Sequence, residues 1–150
     1  MVPEFTVWIH VSRPPGEVFE AVADPAILSR YFTTAGADKR LDAPGPVQWE
    51  FADFPGPFTV QAIEAKSPER IVIDWPQQGA DPGATTRVTF TFEPVESGTR
   101  TKVSVHETGW PMTEAGLAAS YGNCMGWAQM LAALKLWIEH GINLRAGAYK

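Results

Sequence analysis

Residues 113–142 read TEAGLAASYGNCMGWAQMLAALKLWIEHGI, a run without a single proline. Apolar side chains recur in it at steps of three and four. Leu117, Cys124, Trp127, Ala128, Leu131, Leu134, Ile138 and Ile142 fall within about 60° of one line at roughly 100° per residue. That is a helix period, and about thirty residues at roughly 1.5 Å each make a helix about 45 Å long. One small flat sheet does not cover such a length, so the helix must be cradled along it. Gly141 and Gly147 mark its frayed end.

Upstream of this run the period is two. Phe5, Val7, Ile9 and Val11 share one face of a first strand over Glu4 to Val11, with Trp8 and His10 on the other. Ser12-Arg13-Pro14-Pro15-Gly16 then opens a short helix over Glu17 to Ala23, with Ser12 as its cap. Asp24-Pro25 restarts a second helix from Ala26 to about Phe32, with Asp24 capping and Pro25 in the first turn. Beyond Thr33 come strands punctuated by Gly36, Pro44-Gly45-Pro46, Pro55-Gly56-Pro57, Pro68, Pro76 to Gly83 and Ser97-Gly98. Alternation predicts strands over Val47 to Phe51, Phe58 to Lys66, Arg70 to Trp75, Thr85 to Glu93 and Thr99 to Thr108, preceded by a weak one over Ala37 to Leu41. One wet face per strand argues for an antiparallel meander. The expected architecture is therefore α+β: a curved antiparallel sheet of six to seven strands around a long C-terminal helix, with two short helices after the first strand. No linker or repeat divides residues 1–150, and the length favours one soluble domain.

Composition sets bounds on partners. The formal net charge is −5, and no basic run exceeds Lys39-Arg40, so no stripe suits nucleic acid or anionic lipid. No apolar run approaches the roughly 20 residues of a membrane span, and the N-terminus carries no signal-peptide pattern. With Cys124 as its one cysteine, the chain forms no internal disulfide, which makes a reducing, cytoplasmic setting the default expectation. Aromatic residues make up 11% of the chain, a share that suits either a heavily aromatic core or a lined pocket. The small residues Gly116, Ala118, Ala119, Gly122 and Gly126 leave space between sheet and helix that larger side chains would fill. Periodicity leaves both readings open: the aromatics fill that volume, or a ligand-sized cavity remains.

The order of motifs resembles a known superfamily. A strand followed by Pro-Pro-x-x-Val-Phe-x-Ala-x-x-Asp-Pro (Pro14 to Pro25) resembles the opening of the SRPBCC proteins, the START and birch-pollen-allergen-like group. Thr99 to Trp110, then Gly126-Trp127, Leu131, Leu134-Lys135, Ile138-Glu139 and Gly141, are similar to the branch named after the activator of the heat-shock protein ATPase. This resemblance covers nearly the whole chain. It implies a helix-grip fold with an internal cavity for hydrophobic or aromatic molecules, and it carries no shared catalytic set. Two departures stand out: Tyr31-Phe32 replaces the branch's usual Trp-Phe, and the loop Gln77 to Ala84 is Gly/Pro-rich. The eukaryotic co-chaperone's additional N-terminal domain has no counterpart here, which weighs against direct chaperone activation.

Parity then names the candidate residues. Trp49, Phe51, Phe58, Trp75, Phe90 and Phe92 are the expected sheet wall of the cavity, and Tyr121, Cys124, Trp127, Ala128 and Leu131 the helix wall. Glu107 continues the inward parity of Val103 and Val105, which directs a carboxylate into the concave face. There it is either a ligand anchor or general base, or a group turned out by a bulge at Gly109 or satisfied by backbone N–H groups. Glu107 or Tyr121 would orient a ligand's polar end. Trp110-Pro111-Met112 could gate the cavity, and exposed Trp8 and Trp137 could mark a homodimer surface. The three histidines, His10, His106 and His140, show no zinc spacing, and neither a nucleophile elbow nor a dinucleotide loop is present, so no metal or cofactor is expected. The leading function is non-enzymatic binding of a small hydrophobic or aromatic ligand. The alternatives are a cyclase, aromatase or hydrolase using Glu107, and a stress-related module that contacts a chaperone.

Overall fold

Alternation in the first two-thirds of the chain and a helix period in the last third produce one layer of each kind. The computed structural model describes residues 2–77 and 81–150. Strand β1 (Glu4–Val11) is followed by helices α1 (Pro15–Ala23) and α2 (Pro25–Tyr31). Strands β2 (Gly36–Ala37), β3 (Gly45–Phe51), β4 (Phe54–Lys66), β5 (Arg70–Pro76), β6 (Thr85–Val95) and β7 (Arg100–Thr108) follow, and then helix α3 (Glu114–His140). The sheet is antiparallel throughout, in the order β1-β7-β6-β5-β4-β3-β2. Six strands thus form a meander, and β1 returns to pair along the open side of β7, from Glu4 opposite Thr108 to Val11 opposite Thr101. The register shifts at Trp49/Phe51 and at Ala62/Glu64, irregularities of the kind that bend a strand and increase its twist.

The core sits between the sheet's concave face and the three helices. Val60, Ile71, Ile73, Val88, Phe90, Val103 and Val105 come from the strands, and Val18, Phe19, Leu28, Leu131 and Leu134 from the helices, all with 1% exposure or less. At about 25 cal/mol per Å² of apolar surface, this burial is the main term holding the layers together. Among the described residues, no helix is long and apolar enough to cross a membrane.

Helix ends follow their local chemistry. Thr113 caps α3 by accepting from the Gly116 amide at 3.0 Å, and Gly141 ends it in the left-handed conformation at φ 67°. Asp24 caps α2 through the Ala26 amide at 2.9 Å, as its sequence position predicts. Ser12 does not cap α1, whose N-cap is Pro14 with no side-chain bond. The Ser12 amide instead donates to Glu139 Oε2 at 2.9 Å, and Lys135 Nζ donates to the same carboxylate at 2.7 Å and to the His10 carbonyl at 2.8 Å. One turn of α3 thereby clamps the end of β1. Lys135 and Glu139 are two of the residues that carried the family resemblance.

Three sequence expectations change. The strand over Ala37 to Leu41 shrinks to Gly36–Ala37, because Leu41 leaves the sheet and is buried with its amide on the Ala23 carbonyl at 3.2 Å. Pro55-Gly56-Pro57 is not a turn but part of β4, and the reversal is made by Ala52-Asp53, between the paired Phe51 and Phe54. Prolines are tolerated there because β4 pairs with β5 only from Gln61 onward, so they interrupt no ladder on that side. The buried line of α3 runs through Gly116, Ser120, Trp127, Met130, Leu131, Ala133 and Leu134, rotated by roughly 60° from the apolar line of the sequence. α3 comes closest to β1 and also touches α1 and α2, which draws Met130 and Ala133 inward and leaves Ala128 exposed. Of the loop Gln77 to Ala84, residues 78–80 lie outside the described residues. Gln77 at its start bonds to Ala84 through its amide at 2.9 Å and to the Gly109 carbonyl through its side chain at 3.2 Å.

Candidate functional site: a carboxylate tie and an aromatic cleft

Strict alternation along β7 buries Thr101, Val103, Val105 and Glu107, and leaves Lys102, Ser104 and His106 half-buried on the outer face. Glu107 has no exposed surface. Three donors converge on it from two neighbouring elements. Thr86 on β6 donates its hydroxyl to Oε2 at 2.5 Å, and Trp127 on α3 donates its indole N–H to Oε1 at 2.7 Å. Asn123, four residues before Trp127 and so on the same helix face, donates its amide to both oxygens at 3.0 and 3.2 Å. Burial pushes the Glu107 carboxyl above the usual carboxylate range. The bonds from Thr86, Asn123 and Trp127 pull the other way without cancelling that shift. The arrangement ties the helix to the sheet through one fully engaged acidic group.

Beside this tie the sheet is wider than the helix it grips. None of β3, β4 or β5 approaches α3 as β1 does, and a cleft of about 690 Å³ opens between them. Its wall is a closed circuit of aromatic rings. Phe32 meets Phe51 at 5.0 Å between centroids, Phe51 meets Phe58 at 5.4 Å, and Phe58 meets Trp75 at 5.2 Å. Trp75 in turn meets Trp127 at 5.2 Å, and Trp127 returns to Phe32 at 5.6 Å. Trp49 lies behind, edge-on to Phe32, Phe58 and Trp75. Gly122 and Gly126 leave the helix side bare: a Cβ on either would meet nothing within 4 Å. The open space between the overhanging sheet and the helix therefore continues over this bare stretch of α3.

The chain after α3 completes the wall. Asn143 holds the turn by accepting from the Arg145 and Ala146 amides at 3.0 and 3.3 Å. Arg145 lies over Phe51 at 4.3 Å and Tyr149 at 4.9 Å, and its Nε and Nη2 donate to Asp53 Oδ1 at 3.2 and 2.9 Å. Tyr149 donates its hydroxyl to Gln129 Oε1 at 2.7 Å. Among the described residues, no three His, Cys, Asp or Glu side chains gather as a metal site would require.

Of the residues that parity placed around a cavity, Phe51, Phe58, Trp75 and Trp127 stand on the cleft wall. Trp49 and Phe90 form the layer behind, Phe90 against Trp127 at 5.5 Å, while Phe92 packs on Phe19 at 5.4 Å. Glu107 faces inward, as its parity predicts, yet it stands behind Asn123 and Trp127 and does not line the cleft. Tyr121 is 66% exposed, Cys124 is half-buried and Ala128 is exposed; none of the three lines the cleft, because α3 is rotated. Trp110 is no gate: it is buried against Phe5 at 5.6 Å, and Met112 projects into solvent. Phe32, Asn123, Gln129, Arg145 and Tyr149 were missed. Asn123 had a signal, since a buried carboxylate needs donors and Asn123 lies one turn from Trp127. Arg145 and Tyr149 had none, because the segment after Gly141 has no period.

Comparison with known proteins places this geometry. The family model described as "Activator of Hsp90 ATPase homolog 1-like protein" matches residues 12–139. A Staphylococcus saprophyticus protein solved by structural genomics superposes with a TM-score of 0.78 at 22% identity, over 95% of this chain and 96% of its own. The Aha1 dimer from Colwellia psychrerythraea gives 0.74 at 18% identity, over 94% and 98%. A putative protein of the dynemicin biosynthetic locus gives 0.77 at 21% identity over 93% of this chain, which spans 48% of that one. No curated protein matches the chain by sequence.

Proposed function

This chain belongs to the family of activator-of-Hsp90-ATPase homologues, and on that premise we propose that it binds a small hydrophobic or aromatic molecule in the cleft beside α3. The observation that carries the proposal is the closed circuit of Phe32, Phe51, Phe58, Trp75 and Trp127 around open space that Gly122 and Gly126 leave unfilled. Its volume, about 690 Å³, falls within the range of ordinary ligand sites. Offset and edge-on rings offer both faces and edges to a planar guest, and each stacked ring adds about 0.5–1.5 kcal/mol beyond area burial. Binding is favoured over turnover because the buried acid of the molecule, Glu107, is already engaged by three side chains and sits behind the wall. A cyclase or hydrolase would need that carboxylate on the cleft side.

The test uses the neutral fluorophore N-phenylnaphthylamine, whose emission rises in apolar surroundings. The native chain is expected to bind it with a single saturable site. Gly126→Trp plants an indole in the cleft without a clash at Cβ, so binding is expected to fall by at least about tenfold while the fold is kept. Undiminished binding by a folded Gly126→Trp protein would place the site elsewhere. A second reading, a contact with a chaperone or with a second copy, draws on Tyr121 and Met125, both at least 60% exposed beside the cleft mouth. Sedimentation of the native chain and of Tyr121→Glu separates it from the first: a dimer lost on that substitution supports a protein contact.

A further inference from the structure

We propose that Arg145 makes the cleft selective for planar aromatic acids, with the ligand's ring inside the aromatic circuit and its carboxylate on the guanidinium. The inference rests on the binding role just proposed and adds to it the charge of the ligand. Arg145 is the one charged side chain on the cleft wall among the described residues. It is held there with little freedom. Its guanidinium lies over Phe51 and Tyr149 at 4.3 and 4.9 Å, its side chain is only 11% exposed, and the Asn143 turn fixes its backbone.

The hydrogen-bond count is what points to an anion. A guanidinium carries five N–H donors, and Asp53 takes two of them, from Nε and Nη2, both on the single oxygen Oδ1. The pair is therefore not the two-oxygen fork that Arg and a carboxylate form at their strongest. Nη1 has no protein acceptor among the described residues, and neither does the second Nη2 hydrogen. Nη1 keeps contact with solvent, since the buried polar atoms without a partner among the described residues are Trp49 Nε1 and Asp53 Oδ2, so a ligand that brings acceptors replaces water on that edge. A ligand carboxylate fits that edge in the planar, two-point manner that guanidinium prefers. The rest of the wall is aromatic or uncharged, so an acid group finds its best partner at this end alone. Arg145 lies beyond residues 12–139, so this selectivity belongs to the tail of this chain and not to the region that the family model matches.

The experiment displaces bound N-phenylnaphthylamine with a naphthalene carboxylate and with its uncharged carboxamide, which have nearly the same shape. In the native chain the acid is expected to compete about tenfold better than the amide, the scale of one charge-assisted bond. In Arg145→Gln the ratio is expected to fall to about one. Loosening of the tail would weaken both competitors together and leave the ratio intact, so the ratio reads charge recognition and not scaffolding. Asp53→Asn is the second variant: its amide oxygen can still accept from the guanidinium while the competing negative charge is gone, and the acid-to-amide ratio is expected to rise above the native one. Equal competition by acid and amide in the native chain would overturn the proposal, as would an acid preference that survives in Arg145→Gln. If the fluorophore itself finds no site, it is the binding role that fails.

Discussion

Replacing Glu107 tests whether the carboxylate is the tie between sheet and helix. In Glu107→Leu, the Thr86 hydroxyl and the Trp127 N–H lose their acceptor while remaining 1% and 3% exposed. Each buried donor left unsatisfied costs about 1–3 kcal/mol. Asn123 stands on the cleft wall and can turn to solvent, so two donors remain to be counted and the gross loss is about 2–6 kcal/mol. Removing a buried charge offsets part of that, leaving a net loss of about 2–4 kcal/mol, a large share of an ordinary domain's 5–15 kcal/mol. Glu107→Gln behaves differently. Its amide oxygen still accepts from Trp127 and Asn123, and its NH₂ meets the Thr86 oxygen, which can accept, so the loss at neutral pH is expected to stay under about 1 kcal/mol. Urea unfolding with linear extrapolation measures both. A Leu variant as stable as the Gln variant would refute the reasoning. The pH dependence supplies a second reading of the same pair. Because burial raises the folded-state carboxyl above its unfolded value of 4.5, the folded chain holds the proton longer. The stability this contributes is fully present below the unfolded value and is lost as pH rises through the folded one. Native minus Gln-variant stability is therefore expected to decline from mildly acidic to neutral pH.

Other positions give independent tests. Gly116→Ala would place a Cβ 2.1 Å from the Pro111 carbonyl oxygen, a backbone atom, so the approach to α3 must shift; a loss of about 1–3 kcal/mol in urea unfolding is expected. Lys135→Met removes the bonds to Glu139 and to the His10 carbonyl, with an expected cost of about 1 kcal/mol after allowance for partial exposure. Burial alone would raise the Glu139 carboxyl, but the Lys135 ammonium and the Ser12 amide outweigh it and hold the group below its usual value. The stability this contributes is present above the unfolded value of 4.5 and lost as pH falls through the folded one, so the native chain should lose more than Lys135→Met on acidification. An identical acid limb for the two proteins would count against the clamp.

The two acids therefore respond to pH in opposite directions, and their neighbours explain why. Glu139 meets an ammonium at the end of β1, whereas Glu107 meets only neutral donors in the interior. A neutral donor stabilises a carboxylate but does not replace the hydration that burial removes. The same contrast bears on the cleft, where Arg145 has an anionic partner on one edge and unused donors on the other.

Period and parity, which are local, were enough to determine much of this protein. The seven strands, the two short helices, the long helix and the inward aim of Glu107 follow from residues two, three or four apart, because backbone geometry alone fixes which side chains share a face. Those residues also named four of the five rings in the aromatic circuit, Phe51, Phe58, Trp75 and Trp127. What they could not determine was which side of α3 faces inward. The apolar line through Cys124 and Ala128 follows hydrophobicity, but the buried face also takes in Gly116 and Ser120, small residues that carry no apolar signal, and Gly116 lies so close to the Pro111 carbonyl that no Cβ fits there. That rotation put Trp127 and Asn123 on the carboxylate, and Tyr121 and Ala128 outside. Nor could the sequence place Arg145 against Asp53, 92 positions away, since a segment without a period carries no sign of what it folds back upon. Only the packed molecule, in which a wide sheet overhangs a single helix, decided that the cavity would be an open cleft walled in part by the tail.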